Sequence, residues 1–429
     1  MPQLDQALAE QVKRFILDAH AKADIQPAGQ TDTHPLWTRL GELGTQLWLD
    51  TGDIAEAGEI WTREFSALTT NNSLLNKEVQ KGTYDELIPR AADMLGEMGL
   101  PGSQQVLEIA FILNAVHGLA LVKRYDAYVS VEEHTDLAHD YAGAVDYAQR
   151  YYDICPQRFI IKLPLTPAGI LATRYLSGEG IPVNHTLGFS ARQNYVVARL
   201  ARPTYVNVFL GRLNSVVADN GLGSGEYVGE RATLASQAAI RRLRIEQHIP
   251  TGQIGASFRS GDQLAALAGI DVMTFPPKAA EQLLEADPTG ESLIDQTGQL
   301  YQPGLAENVD AHELKIDTLW DIGEMVHRCT DALAGEDLDA FSAEDLVTFF
   351  AENGAGDLLV PWTAEEITTS SEEGKIPKLA NWREHLRTGR AGLDAIMNLA
   401  GLNAFIADQR AMDDRVRRIL QESGSYRGE

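Results

Sequence analysis

Phe159-Ile160-Ile161-Lys162-Leu163-Pro164-Leu165-Thr166 is the stretch on which the fold turns. Three large apolar residues run straight into a lysine, and a proline and a threonine follow. The run reads as a buried strand with a cation at its C-terminal tip. An ammonium buried without a partner is costly, so such a lysine tends to lose its proton. A neutral amine in a dry pocket attacks carbonyls, and the usual product is a Schiff base. The plainer alternative is a lysine that marks where a strand leaves the core.

Working outward, short apolar runs alternate with longer segments of helical spacing. Strands are predicted at Leu47–Asp50, Ser66–Asn71, Ala127–Glu132, Phe159–Leu163, Pro182–Thr186, Tyr205–Leu210, Gln253–Phe258 and Val272–Phe275. Between them, helical periodicity covers Val106–Val122, Leu137–Arg150, Ala168–Ser177, Arg192–Leu200, Glu230–Gln247 and Asp262–Ala268. Alternation of this kind implies parallel pairing with right-handed crossovers. Eight units predict a closed (β/α)8 TIM barrel, in the α/β class, with its site at the C-terminal ends of the strands. An open doubly wound sheet competes, but Asp50-Thr51-Gly52-Asp53 is not its glycine fingerprint. The expected organisation is residues 1–41 as an N-terminal helix and linker, 42–285 as the barrel, and 286–429 as a mostly helical C-terminal extension packed on it. Within that extension, Leu338–Gly354 and Ala391–Leu420 read as helices and Pro361–Pro377 as an acidic loop.

The residues at the strand ends are the chemically unusual part. They are Asp50, Asn71, Glu132, Lys162, Asn184, Thr186, Arg212, Ser257 and Arg259. In a barrel they would converge on one pocket holding an amine, two carboxylates, neutral hydrogen bonders and two guanidiniums. That set suits carbonyl chemistry on a phosphorylated substrate. Each has a structural alternative. Asp50 or Asp53 could cap the helix beginning near Ile54. Thr69-Thr70-Asn71-Asn72-Ser73 could be only a turn. Glu132-Glu133-His134 could be a solvated cluster, and the arginines could be paired surface charges. Cys155, His117 and His185 read as packing residues. No HxxxH or DxD pattern sits at a strand end, so no metal site is expected.

Bulk properties narrow the partners. The chain has 429 residues, 44% hydrophobic, ample for a large core. A formal charge of -25 argues against nucleic acid or an anionic membrane as a main partner. Any phosphate must then be held by a local cluster of cations or backbone N–H groups. The two cysteines have no zinc or disulfide spacing. The segment Met1–Lys22 lacks an apolar leader core, and no stretch is expected to reach the apolar length of a membrane span, so a soluble cytoplasmic protein is expected.

These same residues resemble the transaldolase family, over most of Leu47 to Leu283. Leu49-Asp50-Thr51-Gly52-Asp53-Ile54 is similar to its DTGDI segment, and Leu68–Leu75 to TTNPSLL. Val129–Glu132 resembles VSxEV. Ile160–Ile170 resembles the Schiff-base lysine motif IKIPxTxxGI. Gly180–Ser190 resembles GIxxNxTLxFS, Phe209–Arg212 the end of SPFVGR, and Gly255–Arg259 matches GASFR. Phe405–Gln409 is similar to the family's last helix. Seven motifs in order, each at a predicted strand end, make the resemblance specific.

The resemblance implies an enzyme moving a dihydroxyacetone unit from a ketose phosphate to an aldose phosphate, without cofactor, through a lysine Schiff base. By carry-over, Lys162 attacks the ketose, Glu132 and Thr186 handle protons through a water, and Asp50 takes the C4-hydroxyl proton. Asn71 and Asn184 hold hydroxyls, Arg212, Arg259 and Ser257 hold the phosphate, and Phe209 shapes the wall. The chain departs from the pattern at Asn72 for proline, Asn207 for serine, Val208 for proline and Ser260 for asparagine. Asn207 falls where the donor would lie, which opens the alternative of an aldolase with a changed donor, and the long acidic C-terminal region opens another, a non-catalytic sugar-phosphate-binding barrel. The implied partners are small phosphorylated sugars. A monomer and a homodimer both remain open.

Overall fold

The computed structural model describes residues 6–29 and 32–423. Eight strands form a closed barrel in sequence order. They are β1 (Gln46–Asp50), β2 (Phe65–Thr69), β3 (Tyr128–Glu132), β4 (Phe159–Pro164), β5 (Val183–Thr186), β6 (Tyr205–Phe209), β7 (Gly252–Ala256) and β8 (Val272–Phe275). All neighbours pair in parallel, and β8 returns to β1. All eight predicted strands are present, with no end moved by more than two residues.

The strands form because their apolar residues have two sides to bury: the barrel interior and the helical shell. Inside, Trp48 of β1 meets Tyr205 of β6 edge-on, with ring centroids 4.8 Å apart. The turns leaving the strands end on helix caps. Thr166 accepts from Gly169 N–H at 2.9 Å and donates to the Ala138 carbonyl at 2.5 Å. Pro167 then opens the helix Pro167–Gly178, where its missing N–H costs nothing. A Cβ on Gly169 would lie 2.2 Å from the Pro164 carbonyl oxygen, so no side chain fits where β4 turns into that helix.

Three expectations are corrected. Residues 35–41, read as linker, belong to the helix Pro35–Glu42, whose Trp37 packs on Phe65 and Phe275. The acidic segment read as a loop is the helix Ala364–Glu373, started by a capping box between Thr363 and Glu366. The segment Gln104–Tyr125, mean hydropathy 1.7, is long and apolar enough to cross a membrane, against expectation. It is 89% buried within this fold, where it covers one side of the barrel as part of the helix Gly102–Tyr125. Of the N-terminal helix, Gln6–Lys22 is seen, with Val12 and Ile16 buried, and Leu4 lies outside the described residues.

Beyond β8, the helices Glu324–Leu333 and Ala343–Glu352 pack on Ala191–Ala201 and Pro167–Gly178. The last helix, Leu393–Glu422, lies across Asn72–Gln80, Leu87–Glu97 and Gly102–Tyr125. Its first turn is anchored by charge. Arg192 reaches Asp394 with two nitrogens at 2.7 and 2.8 Å and Asp357 with the third at 2.9 Å. Asp394 is fully buried. Breaking a buried pair by removing one partner costs about 3–5 kcal/mol. Arg192→Ala is therefore expected to lower the midpoint of chemical unfolding by that equivalent, and an unchanged midpoint would remove this anchor from the account.

Candidate active site

A cavity of about 210 Å³ opens at the C-terminal end of the barrel. Asp50, Asn71, Lys162, Asn184, Asn207, Phe209, Arg212, Ser257 and Arg259 all line it. Nine of the residues singled out from sequence thus share one space. Glu132 stands directly behind, its carboxylate 3.7 Å from Lys162 Nζ. Thr186 does not line the cavity. It is fully buried, opposite Pro164 in register and two residues beyond Asn184 on the same face of β5, and its hydroxyl has no partner among the described residues.

The local structure explains how these side chains come free. Asp53, not Asp50, caps the helix Ile54–Ile60, accepting from Ala55 and Glu56 N–H at 2.8 and 3.1 Å. Asp50 is left to accept from the Thr69 hydroxyl at 2.7 Å, which also contacts Thr274 at 2.7 Å. Burial pushes the Asp50 carboxyl above its ordinary range, although Lys162, Thr69, Arg259 and Lys77 pull the other way. Asn71 does cap a helix, accepting from Leu74 N–H at 2.9 Å, and still faces the cavity.

Lys162 donates to the Thr70 carbonyl at 3.2 Å and lies 5.8 Å from the centre of the Phe405 ring. Glu132 is raised by burial, with Lys162 and the Asn72 N–H opposing. That N–H reaches the Glu132 carboxylate at 3.2 Å. A proline at position 72 has no N–H, so this departure from the family pattern supplies the carboxylate with a donor. Asn207 donates to Asn184 at 3.2 Å, and Asn184 to Ser130 at 3.1 Å, forming a polar row across three strands.

The two arginines meet because Gly211 is small: a Cβ there would lie 2.2 Å from the Ser257 carbonyl oxygen and 2.8 Å from Arg259. Ser257 itself has φ 66°, a strained value for a side chain. Burial, then the like charge of Arg259, lowers Arg212 to about 10. Arg212 has an Nη1 with no partner among the described residues. Two adjacent guanidiniums, one with an unfilled donor, are suited to a phosphate dianion.

Sequence reasoning passed over Ser73, Phe405 and Lys375, which also line the cavity. Ser73 lay inside a quoted motif, and Phe405 lay in the resemblance of the last helix. Lys375 carried no signal. His117 and His185 are buried, each with one ring nitrogen bonded, to Tyr84 and Thr173, and burial lowers them to about 4 and about 3. Among the described residues no three His, Cys, Asp or Glu side chains cluster as for a metal ion.

Residues 47–346 match the Transaldolase/Fructose-6-phosphate aldolase family. Among curated proteins, the chain is similar to the transaldolases of Yersinia pseudotuberculosis serotype IB (strain PB1/+) and serotype I (strain IP32953). Each is 29% identical over 262 residues, covering 60% of this chain and 81% of theirs.

The cluster Glu132-Glu133-His134 is not solvated, since all three are buried. Glu133 has no hydrogen bond to either carboxylate oxygen among the described residues. Burial holds it well above the ordinary glutamate range, and Asp146 and Asp140 push the same way. The folded state therefore favours protonated Glu133, and its contribution to stability is lost as pH rises from the unfolded pKa toward the folded one. Glu133→Gln is expected to match wild type near pH 4 and to melt about 2–4 °C higher at pH 8. A difference independent of pH would show that Glu133 is not the cause.

Proposed function

The chain belongs to the Transaldolase/Fructose-6-phosphate aldolase family, and from that premise we propose that it is a cytoplasmic transaldolase of the pentose phosphate pathway. It transfers a dihydroxyacetone unit from sedoheptulose 7-phosphate or fructose 6-phosphate to an aldose phosphate. The observation that carries the reading is Lys162 Nζ, buried 3.7 Å from Glu132 on a cavity shared with Asp50.

In this mechanism Lys162 gives up a proton toward Glu132 and its amine attacks the C2 ketone. The carbinolamine loses water with Glu132 as proton shuttle, and a protonated imine results. Asp50 accepts the C4-hydroxyl proton as the C3–C4 bond breaks, and the bonding electrons pass into the imine to give an enamine. The aldose leaves. An incoming aldehyde takes the enamine carbon, Asp50 returns its proton to the new hydroxyl, and water releases the product. Burial raises both carboxyls, which favours their taking up a proton and passing it on. Arg212 and Arg259 bind the phosphate, with Ser257 beside them, and Asn71 and Asn184 hold sugar hydroxyls. Phe209 and Phe405 keep water from the enamine.

Asn207 favours a second reading. Its amide is longer than the family serine and is tied to Asn184, at the end where the donor is bound. That alters donor choice, or permits release of free dihydroxyacetone.

Borohydride reduction in the presence of fructose 6-phosphate is expected to leave an adduct on Lys162 by mass spectrometry, with turnover lost at least 10³-fold in Lys162→Ala. Absence of the adduct would end the Schiff-base reading. Cleavage without acceptor faster than transfer to erythrose 4-phosphate would favour the second reading over the first.

A further inference from the structure

The family match ends at residue 346, yet Lys375 reaches the cavity from beyond it. The helix Ala364–Glu373 stops at Gly374, whose φ of 78° leaves the helical path in a conformation that favours glycine. The next residues are held on both sides. Asn220 donates to the Pro377 carbonyl at 3.0 Å and accepts from Leu379 N–H at 2.8 Å. Glu373 accepts from Trp382 Nε1 at 2.8 Å and from Asn381 at 2.6 Å. Asn220 directly follows the helix Leu210–Asp219, which carries Arg212. The backbone that presents Lys375 is thus fastened to the helix that presents Arg212. Lys375 is exposed, and no carboxylate pairs with it among the described residues.

We infer that Lys375 is a third cation for the phosphate end of the substrate, delivered over the barrel mouth by the C-terminal region. The inference rests on reading the cavity as a sugar-phosphate site. A body of formal charge -25 repels a dianion on approach. A free ammonium at the mouth offsets that field where the ligand enters. Its compact charge on a flexible stem, unlike the buried guanidinium of Arg212, acts equally on the bound ground state and the transition state. Its removal therefore weakens capture of phosphorylated ligands without slowing chemistry once they are bound.

The test uses the full chain as wild type, Lys375→Gln and Lys375→Arg. In Lys375→Gln, KM for fructose 6-phosphate is expected to rise about threefold to fivefold with kcat within about twofold. The inhibition constant of inorganic phosphate rises by a similar factor, and KM depends less on salt. KM for the uncharged acceptor glyceraldehyde is unchanged, and Lys375→Arg stays near wild type. An unchanged KM for fructose 6-phosphate and unchanged phosphate inhibition in Lys375→Gln overturn the inference while leaving the proposed function intact. If the wild type shows no turnover, the proposed function falls separately. Calorimetry with inorganic phosphate then decides the role of Lys375: binding weakened threefold in Lys375→Gln supports it, and equal binding removes it.

Discussion

The contact between Lys162 and Glu132 constrains everything around it. The two side chains are 5% and 4% exposed and 3.7 Å apart. Taking two charges out of water costs more than their attraction returns unless other polar groups surround them. The barrel end supplies those groups: the Thr70 carbonyl for the lysine, and the Asn72 N–H for the carboxylate. The pair also fixes register. Glu132 lies opposite Lys162 in the β3–β4 ladder, and Lys162 opposite Asn184 in β4–β5. Sliding either strand by one residue would turn one member of the set into the helical shell.

The other side chains of the cavity are free because neighbouring residues take over structural work. Asp53 relieves Asp50 of capping, and Thr166 and Ser190 cap the helices after β4 and β5. Gly211 lets the tip of β6 rest against the Ser257 carbonyl, which sets two like charges side by side. The like charge of Arg259 adds to burial in lowering Arg212, an arrangement suited to an anion.

Much of this was legible in the chain. Strands enclosed on both faces are rich in apolar residues, so Asp50 after Leu47-Trp48-Leu49 and Lys162 after Phe159-Ile160-Ile161 stand out. By contrast β5, Val183–Thr186, is mostly polar, and Asn184 is singled out by its place in the alternation of strands and helices. The extension was harder to read. Ala364–Glu373 has few apolar residues and owes its start to Thr363 and Glu366, a local cap easily taken for loop polarity. Lys375 is one of ten lysines in the sequence and carries no local pattern, and only the clamp at Asn220 distinguishes it. The bond from Asn72 to Glu132 spans 60 residues and uses a backbone group, so no side-chain pattern reports it. Thr186 is two residues beyond Asn184 on β5, on the same face of the strand, and is buried one layer along it.

The cavity wall at Phe405 has a consequence for biogenesis. All eight strands lie before residue 276, whereas Phe405 sits on a helix that begins at Leu393. A nascent chain emerging from the ribosome can close its cylinder more than a hundred residues before that wall is synthesised. That wall stands beside the lysine of β4, whose Nζ lies 5.8 Å from the centre of the Phe405 ring. The side of the cavity at Phe405 is thus among the last parts of the chain to be made.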